Sequence, residues 1–171
     1  MAALSAMLLA PAAASAWCPN QEMLPTTRAD MPAFERAVLC LINEERTQRG
    51  RRALERDSRL ALAGAKHVED MVERRYFAHE SLGGSAPLDR IRRAGYGAKR
   101  RSWMFGEILA WGTLSRSRPA AVVENWMKSP GHRAAILEPS FSEAGPGATI
   151  GNPRRPGDAG VTVAVEFGRV L

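Results

Sequence analysis

No run of about 18 apolar residues occurs anywhere in the 171-residue sequence, so it carries no conventional membrane-spanning helix. It also lacks the G-x-S-x-G elbow, the P-loop, the G-x-G-x-x-G turn and the C-x-x-C pair, and with them the commonest signatures of hydrolase, nucleotide and redox chemistry. His79-Glu80 begins an H-E-x-x-H zinc-protease motif, but position 83 is glycine where the second histidine belongs. Lysine is scarce: Lys66, Lys99 and Lys128 are the only ones among 24 basic residues. The formal net charge is nevertheless +6, and the apolar and charged fractions of 45% and 25% are those of an ordinary folded domain. A disordered or collagen-like chain is excluded, and the length suits one compact domain.

The first residues point to export. Met1 to Ala16 has no charged side chain, Leu4, Met7, Leu8 and Leu9 form a short apolar stretch, and Ala14-Ser15-Ala16 supplies small residues at −3 and −1. This reads as a secretory signal over 1–16 with cleavage after Ala16, followed by an irregular segment over 17–32 and a folded domain over 33–171. Lipoprotein processing is disfavoured because bulky Trp17 precedes Cys18. In an oxidising compartment Cys18 and Cys40 have one possible pairing, a disulfide tying the irregular segment to the first helix. The alternative is a buried free Cys40 and an unrelated exposed Cys18.

Helical spacing begins at Phe34, runs through Val38, Leu41 and Ile42, and ends at Gly50. A second helix starts at Asp57 or Ser58, with Leu60, Ala63, His67 and Met71 on one face. A short third helix opens at Pro87 and stops at Gly95; a fourth starts at Ser117 or Pro119 and runs through Trp126 and Met127. Ser129-Pro130 marks another start, serine as N-cap and proline where its missing N–H is harmless. Beyond it the pattern changes to period two: a strand near Ala148–Ile150, a loop over 152–160, then Val161, Val163, Val165 and Phe167 in alternation. Helices first and antiparallel strands last predict an α+β fold.

Three histidines and one carboxylate carry the candidate chemistry. His67, on an apolar helix face, reads as a core histidine with one ring nitrogen bonded to backbone. His79 lies at the exit of the second helix, before a glycine-rich loop. His132 falls in the first turn of its helix, where the positive dipole end favours a neutral imidazole. Glu107 interrupts an apolar run from Phe105 to Trp111 and requires a partner if buried; an arginine is the plain choice.

Together these residues resemble a known pattern: Leu41-Ile42-Asn43-Glu44-Glu45-Arg46, Tyr76-Phe77-Ala78-His79, Gly106-Glu107, and Ser129-Pro130-Gly131-His132-Arg133. The set is similar to the bacterial branch of the CAP superfamily (cysteine-rich secretory proteins, antigen 5 and plant pathogenesis-related proteins), also called the SCP-like extracellular domain. The resemblance covers about Phe34 to Gly168. It implies an α-β-α sandwich with a small antiparallel sheet between helical layers and an open cleft. It implies His79 and His132 as ligands of zinc or another divalent ion, with Glu107 as the first cleft acid and, in a hydrolytic member, the general base. The second acid of the family pattern does not transfer, because the sequence there is Gly83-Gly84-Ser85; Glu80 or Asp89 are its candidate substitutes. Asparagines expected after Gly-Glu and after His-Arg are replaced by Ile108 and Ala135, which weakens the case for a metal. Asn43, Arg46, Arg90 and Arg133 are implied structural polar anchors.

Three functions follow as expectations: a divalent-metal cleft, a non-catalytic binding module for envelope glycan, lipid or protein, and a weak metal-dependent hydrolase. The arginine-rich surface of an exported protein suits anionic glycan or lipid better than nucleic acid. A periplasmic or extracellular monomer is expected.

Overall fold

The computed structural model describes residues 18–98, 102–155 and 157–171. The expected signal over 1–16 lies outside the described residues.

A short 3-10 turn leads into α1 (Met31–Thr47), and β1 (Glu55–Arg56) and α2 (Ser58–Arg74) follow. Then come α3 (Pro87–Arg93), β2 (Trp103–Thr113), α4 (Pro119–Lys128), α5 (Pro130–Leu137), β3 (Glu143–Ile150) and β4 (Gly160–Val170). The strand order is β1-β3-β4-β2. The three long strands pair antiparallel, as expected, whereas β1 adds a two-residue parallel pairing to β3, making the sheet mixed.

Alternation along β4 sends side chains to two different helical layers. Val161, Val163, Val165 and Phe167 join Ile108 of β2 and the apolar residues of α1, α4 and α5 in the main core. The opposite face carries Ala164 and Leu109, which pack under Val68 and Met71 of α2. Helices cover both faces, and this is the α-β-α sandwich of the sequence reading.

The stripe Leu60, Ala63, His67 and Met71 is buried, and Asp57 caps α2 by accepting from the Arg59 and Leu60 N–H groups. β3 is longer than the sequence suggested, and its glycines explain both the length and the difficulty of reading it. Gly145 and Gly147 face α2 so closely that a Cβ would fall on the backbone nitrogens of Ala61 and Ala65. Pro146 is tolerated because β1 pairs only with residues 143 and 144, leaving the strand unpaired on one side beyond them.

Polar anchors hold the α1 layer. Asn43 donates to and accepts from the Leu54 backbone at 3.0 and 2.8 Å. Arg46 is fully buried and donates to the carbonyls of Arg52, Ile136, Glu138 and Phe141. Arg133, expected as a further anchor, is exposed, and among the described residues its guanidinium makes no hydrogen bond. Placed on the outer side of a short helix, it has no buried carbonyl to serve.

Cys18 and Cys40 form a disulfide, with 22 residues of sequence separation. Its removal by a Cys18→Ser/Cys40→Ser double substitution is expected to destabilise the fold by about 3 kcal/mol, on the chain-entropy account of a loop this size. Urea unfolding with and without the bridge measures this, and equal midpoints would refute it.

Candidate functional site

α2 ends at Arg74, and the left-handed backbone of the next residue, Arg75 (φ 62°), turns the chain back along the helix. The returning segment is pinned by His67. Its Nε2–H donates to the Ala78 carbonyl at 2.9 Å, and the next residue is His79. Burial, then the nearby Arg90 charge, lowers the His67 pKa, so the ring is neutral and its Nδ1 is an acceptor. The core histidine read from sequence is therefore also the residue that positions the second histidine.

His79 reaches over the sheet to Glu107 on β2. A carboxylate only accepts, so His79 Nδ1 carries the hydrogen and donates to Glu107 Oε1 at 2.6 Å. The other oxygen, Oε2, accepts from Arg90 Nη2 at 2.5 Å, and Arg90 Nη1 donates to the Ser85 carbonyl at 3.1 Å. The Glu107 and Arg90 side chains are 2% and 7% exposed, whereas that of His79 is 56% exposed. The partner required for a buried carboxylate is thus both an arginine and a histidine. Its hydrogen bond to Glu107 raises the His79 pKa.

Behind this triad lies a residue the sequence reading missed. Glu166 of β4 stands opposite Glu107 in the antiparallel register, on the same sheet face and fully buried. No N–H or hydroxyl donor among the described residues reaches either of its oxygens. Two ionised carboxylates side by side in the interior repel strongly, which favours the protonated form of Glu166. Burial and then the Glu107 charge push the Glu166 pKa well above its ordinary value. Burial also acts to raise Glu107, but the hydrogen bonds from His79 and Glu166 and the Arg90 charge prevail and hold it below the ordinary range. The alternation of β4 conceals it: Glu166 falls on the intervening positions with Thr162 and Ala164, where a half-buried strand carries polar residues.

The raised Glu166 pKa has a pH signature. The folded chain keeps the Glu166 proton to higher pH than the unfolded chain, whose glutamate titrates near 4.5. Stability therefore falls as pH rises from 4.5 through the folded pKa. Glu166→Gln preserves a donor toward Glu107 and abolishes the titration. It is expected to remove about 1.4 kcal/mol per pH unit of downward slope across that window. Urea unfolding at stepped pH measures it, and an unaltered slope would mean the proton is not there.

His132 occupies the first turn of α5, which packs against β2. Burial, and then the His79 charge, lower its pKa; its Nδ1 has no hydrogen-bond partner. The two histidines thus lie within electrostatic reach of each other. Glu80 is exposed, and Asp89 accepts from the Ala86 N–H at the start of α3, so neither joins the cluster. Among the described residues no group of three histidine, cysteine, aspartate or glutamate side chains is placed to hold a metal. Both Glu107 oxygens are committed to His79 and Arg90, and Glu166 lies fully buried behind them. Two imidazoles remain, and that donor set does not fit a zinc centre with three protein ligands.

Residues 39–157 match the profile of the CAP, or cysteine-rich secretory protein, family. The chain belongs to this family. The Bacillus subtilis (strain 168) protein YkwD is 34% identical to this CAP chain over 119 residues, 70% of the chain and 44% of YkwD. The B. subtilis membrane protein YlbC is 34% identical over 113 residues, 66% of the chain and 31% of YlbC. The CAP chain thus spans less than half the length of either relative. Among solved structures, an extracellular SCP-domain protein of Bacillus anthracis str. Ames superposes with a TM-score of 0.68 at 24% identity, over 85% of this chain and 44% of that one. An outer surface protein of Borrelia burgdorferi gives 0.65 at 23% identity, over 81% and 93%. These structural likenesses establish a shared fold. No described helix is long and apolar enough to cross a membrane.

Proposed function

We propose that this chain is an exported CAP domain acting as a binding module, whose cleft takes an anionic group of the cell envelope at His79 and His132. The observation that carries this reading is the full commitment of Glu107 inward, one oxygen to His79 and one to Arg90. The acid is thereby removed from the cleft surface, and the group left facing outward is the exposed edge of an imidazole whose cationic form Glu107 favours. His132, within electrostatic reach of it, is held neutral by burial, and the chain as a whole is basic. Such a surface attracts phosphate or carboxylate oxygens. Catalysis has less support: among the described residues His79 makes its one hydrogen bond to Glu107, and no hydroxyl or thiol is paired with either cleft histidine as a nucleophile.

Flotation with phosphatidylglycerol vesicles and with envelope fractions tests the reading. Binding is expected to weaken as salt rises, to weaken as pH rises through the elevated His79 pKa, and to fall about tenfold in His79→Ala. Binding indifferent to salt and to His79 would overturn it. Zinc calorimetry supplies the contrast: wild type and His79→Ala/His132→Ala are expected to be indistinguishable, and a one-to-one zinc site lost in the double variant would favour a metal cleft instead.

A further inference from the structure

β2 stands at one end of the sheet: β4 pairs along one side of it, and among the described residues no strand pairs with the other. The Leu171 N–H donates to the Ser102 carbonyl, which sets the phase of the antiparallel ladder. Even-numbered residues of β2 bond to β4, and odd-numbered ones turn their N–H and C=O groups away from it. The Leu109 carbonyl accordingly accepts from the Trp126 indole at 3.0 Å, where α4 packs against the strand. Trp103, Phe105 and Glu107 point the same way, and among the described residues nothing bonds to their outward main-chain groups. Glu107 is only half-buried although its side chain is 2% exposed, so its exposed part is backbone.

The two edges of the sheet are treated differently. At the other edge β1 pairs with residues 143 and 144, Pro146 has no N–H to offer, and the Ala148 N–H donates to Glu35 Oε1 at 3.2 Å. Such devices keep a sheet from taking on further strands. From Trp103 to Glu107, β2 carries no proline and no lysine, and Met104 and Phe105 are exposed. The one charge there, Glu107, is turned inward onto His79 and Arg90. Free N–H and C=O groups on alternate residues, flanked by apolar side chains, are what an added strand requires.

Charge selects the occupant. On the α2 side of the edge the Arg92 guanidinium lies 5.8 Å from the centre of the Trp103 ring. On the opposite face Arg169 stands across the ladder from Met104. Both arginines are exposed, and among the described residues neither has a carboxylate within ion-pair distance. Two copies of this chain, each at +6, would bring like charges together at such a seam, whereas an acidic segment is complementary on both faces.

We propose that the free edge of β2 over residues 103–107 binds an extended acidic peptide segment by strand addition, with Arg92 and Arg169 holding its carboxylates. The surface uses main-chain groups rather than the cleft imidazoles, and it stands whether or not the cleft takes an envelope anion.

A capped hexapeptide of alternating glutamate and valine is the probe, with a lysine–valine peptide and an N-methylated glutamate–valine peptide as controls. Calorimetry on the full chain measures binding, and amide-resolved hydrogen exchange reports on the edge. In the free protein the Phe105 and Glu107 amides should exchange faster than those of Met104 and Gly106, which bond to β4. The glutamate peptide is expected to bind and to slow the Phe105 and Glu107 amides by about tenfold. The N-methylated peptide, stripped of its donors, should bind about tenfold more weakly, and the lysine peptide not measurably. Arg92→Gln/Arg169→Gln, two exposed changes compatible with folding, should weaken the glutamate peptide about fivefold. His79→Ala, which tests the cleft, should leave it unchanged. No binding of the glutamate peptide at millimolar concentration, equal binding of the glutamate and lysine peptides, or full binding by the N-methylated form would each overturn the assignment. Protection of the same two amides that grows with protein concentration and needs no peptide would refute the acidic partner in favour of a second copy of the chain.

Discussion

Glu107→Ala is expected to destabilise the fold by about 3 kcal/mol, near the lower end for breaking a buried ion pair by removing one partner. Arg90, 7% exposed, loses the carboxylate that neutralises it, and His79 loses the acceptor that orients its ring. The cost stays near the lower end because of Glu166. Freed from a like-charged neighbour, that buried carboxyl can release its proton and become a counter-ion for Arg90. The double variant Glu107→Ala/Glu166→Gln closes this route, since no ionisable carboxyl then remains at Arg90. It should lose more than the sum of the single effects, with a coupling of about 0.5–3 kcal/mol. Urea unfolding of all four forms at neutral pH measures the cycle, and strict additivity would show that Glu166 does not compensate for Glu107 at Arg90.

Gly147→Ala is expected to be severely damaging, costing about 4 kcal/mol or preventing folding. The added carbon would fall on the Ala65 backbone nitrogen and close to the Ala61 carbonyl oxygen. Neither is the end of a flexible side chain, so relief requires α2 to lift from β3 and disturbs the Val68, Met71 and Leu109 cluster beside it. Gly131→Ala is the control: nothing lies within 4 Å of a Cβ built there, and it sits in the first turn of α5. Its effect should be small, or stabilising by about 0.4–1 kcal/mol through reduced freedom of the unfolded chain. Comparable losses at both positions would contradict the close approach of helix and strand.

The helices were legible because each announces itself locally. Asp57 caps α2, Ser129-Pro130 opens α5, and the buried stripe of α2 follows helical spacing. β4 was legible for the same reason, its alternation surviving because it lies between two paired strands. β2 was not, since Gly106, Glu107 and Gly112 break its pattern for tertiary reasons: a Cβ at Gly106 would meet the Phe141 ring, and one at Gly112 the Arg116 carbonyl. The first part of β3 was hidden by glycines that serve α2.

The site divides in the same way. His79, His132 and Glu107 were identified from motif resemblance, and His67 from its place on an apolar face. Glu166 went unnoticed because its role depends on cross-strand register, which one strand's sequence does not contain. Glu80 and Asp89 were attractive because they lie close to His79 along the chain, whereas proximity in the folded molecule comes from β4.

The opposed acids also constrain how the sheet can assemble. A slip of β2 by one residue along β4 would rotate Glu107 out from beneath α2 and into the aliphatic layer of Val163 and Val165, with neither Arg90 nor His79 to receive it. The pairing is thus a proofreading device: misaligned strands maroon a carboxylate among hydrocarbons, and only one alignment gives it company.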